Sequence, residues 1–128
     1  MRRTVSVDHE GGIRPCCGLP PHYKGLKVGN IGKEGVEAAM RAAAEDPFYR
    51  WIGLEGPVAI LAVVTAHDPA PMRAEDFDGV CAACDRIFSL PNMLERVRAA
   101  AELRRDQITA CETALDRLAR AEKVARAR

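Results

Sequence analysis

Apolar positions recur at helical spacing through most of the chain and lose that rhythm near its start. From Glu34 the run Glu-Gly-Val-Glu-Ala-Ala-Met-Arg-Ala-Ala-Ala-Glu places Val36, Ala39, Met40 and Ala43 on one face. Alanine heads the helix propensity scale and Pro47 halts the segment, so the pattern predicts a helix over 34–46. The block Phe48-Tyr49-Arg50-Trp51-Ile52 follows, close to an apolar run over 58–64. Aromatic side chains gathered beside such a run read as the anchor of a core. The run itself fits a buried strand by its β-branched content, or a helix with Pro57 at its first position. The scarcity of partner strands favours the helix.

After an acidic connector over 68–78, Asp78 is the expected N-cap of a helix from Gly79 to about Ser89. Ser89-Leu-Pro-Asn then restarts a helix, with Pro91 in its first turn, and neither Gly nor Pro occurs beyond it. Steps of three and four from Leu94 land on Val97, Ala101, Arg104, Ile108, Cys111, Leu115, Leu118, Glu122 and Ala125. This is a heptad seam with two polar interruptions, Arg104 and Glu122. A continuous helix over 91–126 would run roughly 54 Å at about 1.5 Å per residue. A compact domain of this size has a radius of gyration near ~14 Å, so the helix would overhang it. An overhanging apolar seam needs a partner, either a second copy of the chain or a different protein. The expected interaction residues are Leu94, Val97, Ala101, Ile108, Cys111, Leu115 and Leu118.

The first 33 residues follow another logic. Thr4-Val5-Ser6-Val7-Asp8 alternates as a short strand would, and Glu10-Gly11-Gly12 supplies a turn. Pro15, Pro20 and Pro21 forbid a helix, and glycines at 25, 29, 32 and 35 keep the next stretch irregular. The expected fold is mainly α, with a small irregular or β N-terminal region, in one domain of three parts. These are a loop-rich segment (1–33), an acidic helical core (34–90) and a long amphipathic C-terminal helix (91–128).

Composition adds two constraints. Six aromatic residues among 128 leave a thin core, which a small domain must compensate. The net charge of +1 removes the simplest case for wholesale nucleic-acid or membrane binding, yet it is a cancellation. Residues 1–33 carry six basic and two acidic side chains, residues 34–90 four and ten, and residues 91–128 nine and six. Basic ends and an acidic middle allow the chain to pair with itself or to offer faces of opposite sign to partners. No apolar run is long enough to span a bilayer, and Met1-Arg2-Arg3 leads into no apolar signal region. Five cysteines without an export signal point to a reducing, cytoplasmic compartment, where thiols bind metal or stay free.

The candidate chemistry lies in those cysteines. Cys81-Ala-Ala-Cys84 at the start of a helix can aim two thiols the same way, where the helix N-terminus favours thiolates. Cys16 and Cys17 stand in Arg14-Pro15-Cys16-Cys17-Gly18. The two stretches resemble the knuckles of small zinc-ribbon and treble-clef proteins. Pro15, Cys17 and Gly18 match the first knuckle, and Cys81, Cys84 and Phe88 the second. Arg14 stands where the first knuckle has its leading cysteine, and Asp85 where the second has a glycine. The resemblance implies a structural zinc held by Cys16, Cys17, Cys81 and Cys84, with His22 or His9 as alternative ligands. Such an ion would fasten the loop-rich N-terminal segment to the helices.

Two other patterns carry less. Gly32-Lys33-Glu34-Gly35 matches a nucleic-acid-clamping G-x-x-G loop, but that loop joins two helices and here follows coil. His9, His22 and His67 stand in no signature for nucleophilic or metal-assisted hydrolysis. The expected function is therefore binding: a zinc-stabilised interaction module that docks on a larger protein assembly or on itself through its last helix. A compact inhibitor or regulator encoded by a virus or mobile element would carry the same features. The alternative is a zinc-containing nucleic-acid-binding regulator using the basic termini. A third, a thiol redox protein, would need a strand leading directly into Cys81-Ala-Ala-Cys84, and a loop with two prolines stands there instead.

Overall fold

The computed structural model describes residues 5–15 and 23–127. Most of these residues are helical, and a small antiparallel sheet stands at the N-terminal end, so the chain is mainly α with a minor β region. Strand β1 (Ser6–Val7) pairs with β2 (Gly12–Arg14), bringing Val7 opposite Ile13. Strand β3 (Gly29–Asn30) pairs with the other edge of β2, Ile13 opposite Gly29. The sequence pattern leaves β3 unmarked, because Gly-Asn has no strand propensity. Its pairing is imposed from outside: the Val28 amide donates to Ile13 C=O at 2.8 Å, and β3 lies so close to the next helix that a Cβ on Gly29 would meet Ala39 Cβ at 2.7 Å.

Helix α1 (Gly35–Glu45) packs against β3, burying Ala39 and Ala43 as the helical spacing predicts. Gly32-Lys33-Glu34-Gly35 forms the tight turn between β3 and α1, and so joins a strand to a helix. Glu34 Oε2 accepts from the Asn30 amide at 2.9 Å, and that bond holds its carboxyl below the usual range. Asp46 ends α1 and begins α2 (Pro47–Val64), its side chain accepting from the Phe48 amide at 2.8 Å with Pro47 in the first turn.

The apolar run over 58–64 is helical. It belongs to the second half of α2, which is interrupted at Gly56 with φ 80° and ψ 162°. Only glycine adopts that conformation without strain, and Pro57 restarts the helix where its missing amide costs nothing. α2 is the central element, packed against α1, α3, α4 and α5. Its aromatic block is the core anchor: Phe48, Trp51 and Ile52 are buried with Ile60, Leu61, Ala83, Ile87, Met93, Val97, Ala101 and Ile108.

Helix α3 (Val80–Ser89) starts one residue later than its sequence pattern suggests. Gly79 is its N-cap at φ 137°, and Asp78 does not cap it. α4 (Met93–Leu103) likewise begins after Pro91, with Asn92 in the left-handed region at φ 60°. The expectation of one continuous helix over 91–126 requires correction. The helix breaks at Arg104, whose φ of −100° and ψ of 6° close α4 before α5 (Arg105–Arg126) begins. The break falls on the polar interruption of the heptad. There the half-buried Arg104 sets its guanidinium 5.1 Å from the centre of the enclosed Trp51 ring.

Candidate functional site

The break divides the predicted seam into two environments. Val97 and Ala101 of α4 and Ile108 of α5 are buried in the molecule's own core, and Leu94 is half-buried against it. They are not available to a partner. Beyond Ile108 the seam emerges: Cys111 is exposed, Leu115 is 54% exposed and Leu118 62%. Val124 is 58% exposed on the opposite side of the helix.

Two links hold the start of α5 to the body. Arg50 Nε donates to Glu112 Oε2 at 2.9 Å, and Arg50 Nη2 donates to Thr109 Oγ1 at 2.9 Å. Arg105, meanwhile, pairs with Glu102 across the break at 2.6 Å. Sequence reasoning did not single out Arg50, since it reads there as a polar gap in the aromatic block. Past Glu112, every described residue of α5 is exposed. At about 1.5 Å per residue, the 22-residue helix is roughly 33 Å long. Its outer half offers leucines on one side and Arg117, Arg120 and Lys123 elsewhere around its girdle.

Between α5 and the body lies an open groove of about 510 Å³. Its walls are mostly apolar: Leu26, Met40, Ala43 and Ile52 on the body, and Leu115 beside Glu112 and Asp116 on α5. Two further residues of its lining bear on the cysteines. Pro15, immediately before Cys16, and Cys84 both line this groove. Tyr23 is tied to α3, because its hydroxyl donates to Asp85 Oδ1 and its ring lies 5.7 Å from that of Phe88. The Asp85 carboxylate accepting that bond raises the Tyr23 pKa.

Cys84 is buried in α3, and Cys81, one turn earlier, is exposed. Cys16, Cys17 and His22 lie outside the described residues. His9 is exposed in the β1–β2 turn. Among the described residues, no three His, Cys, Asp or Glu side chains are grouped as metal ligands. The described part of the candidate site thus supplies at most two thiols. Among the described residues, no helix is long and apolar enough to cross a membrane. No known protein family, curated protein or solved structure matches the chain.

Proposed function

We propose that the chain works by binding, as an interaction module whose docking element is the outer half of α5. One observation carries this reading: Leu115 and Leu118 follow each other on a helix face that its own body leaves more than half exposed. Burying a leucine side chain is worth about 1.5–3 kcal/mol, so a partner that covers both gains a useful fraction of a micromolar affinity. The test is the Leu115→Lys/Leu118→Lys variant, checked for native circular dichroism and compared with wild type by quantitative co-isolation from the host cell. Loss of the same specific partner in the variant supports the reading. An unchanged set of partners contradicts it.

We further propose that a structural zinc joins Cys16 and Cys17 to Cys81 and Cys84. What supports it is that Pro15, next to Cys16 in sequence, lines the same groove as Cys84, and that Tyr23, next to His22, bonds Asp85 of the same helix. Tetrahedral thiolate coordination would supply stability that six aromatic residues cannot. Native mass spectrometry should find one zinc per chain, with a chelator removing it and loosening the N-terminal segment. A folded, metal-free chain would contradict the clasp.

A further inference from the structure

We infer that the partner of α5 is the α5 of a second copy, packed antiparallel about a twofold axis between Leu115 and Leu118. This rests on the docking reading above and specifies its occupant. The first support is the spacing. In the exposed seam Cys111, Leu115, Leu118 and Glu122 alternate steps of four, three and four. A twofold axis midway between Leu115 and Leu118 maps this series onto itself. Leu115 then faces the second copy's Leu118, and Cys111 faces its Glu122. The same surface serves both copies, as a closed dimer requires.

The second support is charge. Up to Asp116, α5 carries Asp106, Glu112 and Asp116 against Arg105, whereas beyond it the helix carries Arg117, Arg120, Lys123 and Arg126 against Glu122. Arg105 and Glu112 are already paired within the body. Among the described residues, Asp106, Asp116, Arg117, Arg120, Lys123 and Arg126 make no ion pair. Antiparallel packing opposes the two helix dipoles. It sets Arg126, which flanks the seam, and Lys123, further round the helix, beside the acidic half of the other helix, whereas Asp106, Asp116, Arg117 and Arg120 lie toward the far side. Parallel packing would set Lys123 and Arg126 near their own copies and stack Cys111 on Cys111. Ala114, Ala119 and Ala121 flank the leucines and let the two backbones approach closely. Glu122 breaks the seam at a single position, and a polar residue there fixes register at some cost in affinity.

The orientation can be read from disulfide trapping. The full-length chain and its Glu122→Cys variant are oxidised with diamide, and the cross-linked peptides are mapped by mass spectrometry. The variant should form an intermolecular disulfide between Cys111 and the thiol introduced at position 122, and wild type should form no Cys111–Cys111 bridge. In sedimentation equilibrium, wild type should be dimeric and Leu115→Lys/Leu118→Lys should raise the dissociation constant roughly tenfold or more. A Cys111–Cys111 bridge would overturn the antiparallel arrangement. A monomeric wild type would overturn the second copy as occupant and leave the docking reading to its own co-isolation test. A dimer that survives both lysines would overturn the inference outright, since self-association would then lie elsewhere.

Discussion

Asp8 stands beside His9 and Glu10 in the sequence, a grouping that could be taken for an acid–base site, and the structure gives it a different task. Its carboxylate accepts from the amides of Glu10 and Gly12 at 3.0 and 2.7 Å and pairs with Arg14 across the β1–β2 turn. Those bonds, the one from Arg14 foremost, lower its pKa from 3.8 to about 2. A carboxyl whose folded pKa is depressed contributes stability above its unfolded value and loses it as pH falls through the folded one. Protection of the Gly12 amide against hydrogen exchange should therefore decline between pH 4 and 2. Asp8→Asn should weaken protection at neutral pH and flatten this dependence; an unchanged acid titration in the variant would contradict the role. At the opposite extreme of burial, Trp51 is wholly enclosed, donates to Glu55 Oε2 at 2.9 Å and carries Arg104 over its ring. Trp51→Ala is expected to cost about 3–5 kcal/mol by urea denaturation. A much smaller loss would mean that the core is not anchored there.

Among the elements, those that declare themselves in the sequence are the ones whose periodicity and caps agree. The alanine-rich pattern from 34 and the stop at Pro47 locate α1, and Pro57 correctly marks a helix start for the apolar run. The elements that escape sequence reading are set by contacts distant in sequence. β3 exists because β2 offers it an edge, and the break between α4 and α5 falls at an arginine, a good helix former. Nothing local forbids Arg104 from continuing the helix; its packing over Trp51 is a tertiary fact. The exact start of α3 escapes for a related reason, since glycine at φ 137° takes the cap position from the more conventional aspartate.

The hinge in α2 makes a sharp prediction at this scale. Gly56→Ala puts a Cβ into a backbone region reserved for glycine and should cost about 1–3 kcal/mol in chemical denaturation. A neutral result would show that α2 can straighten. For α5, Arg50→Ala removes the links to Glu112 and Thr109. Amide exchange over 105–112 should then quicken while α2 and α4 keep their protection; equal loosening everywhere would show that Arg50 supports the core instead.

For the molecule as a whole, the legible part of the candidate site was its chemistry, and the illegible part was its accessibility. Leu94 and Leu118 look alike in a heptad, yet Val97, Ala101 and Ile108 stabilise the core while Leu115 opens onto the groove and Leu118 faces solvent. Burial is decided by where α5 leaves the body, and no local pattern encodes that point. The cysteine pattern was equally visible, but only the structure places Pro15 and Cys84 along one groove and ties Tyr23 to the neighbouring Asp85. Within α5 itself, the proposed antiparallel pairing sets the basic end of one helix beside the acidic end of the other. An apolar seam flanked by such pairs should weaken modestly as salt rises. Binding to a duplex oligonucleotide through the basic termini would fall by orders of magnitude over the same range. Self-association through α5 is the central claim, and sedimentation velocity over a concentration series tests it most directly. Wild type should shift from monomer to a larger species as concentration rises, while the folded Leu115→Lys/Leu118→Lys variant stays monomeric; identical behaviour of the two proteins would contradict it.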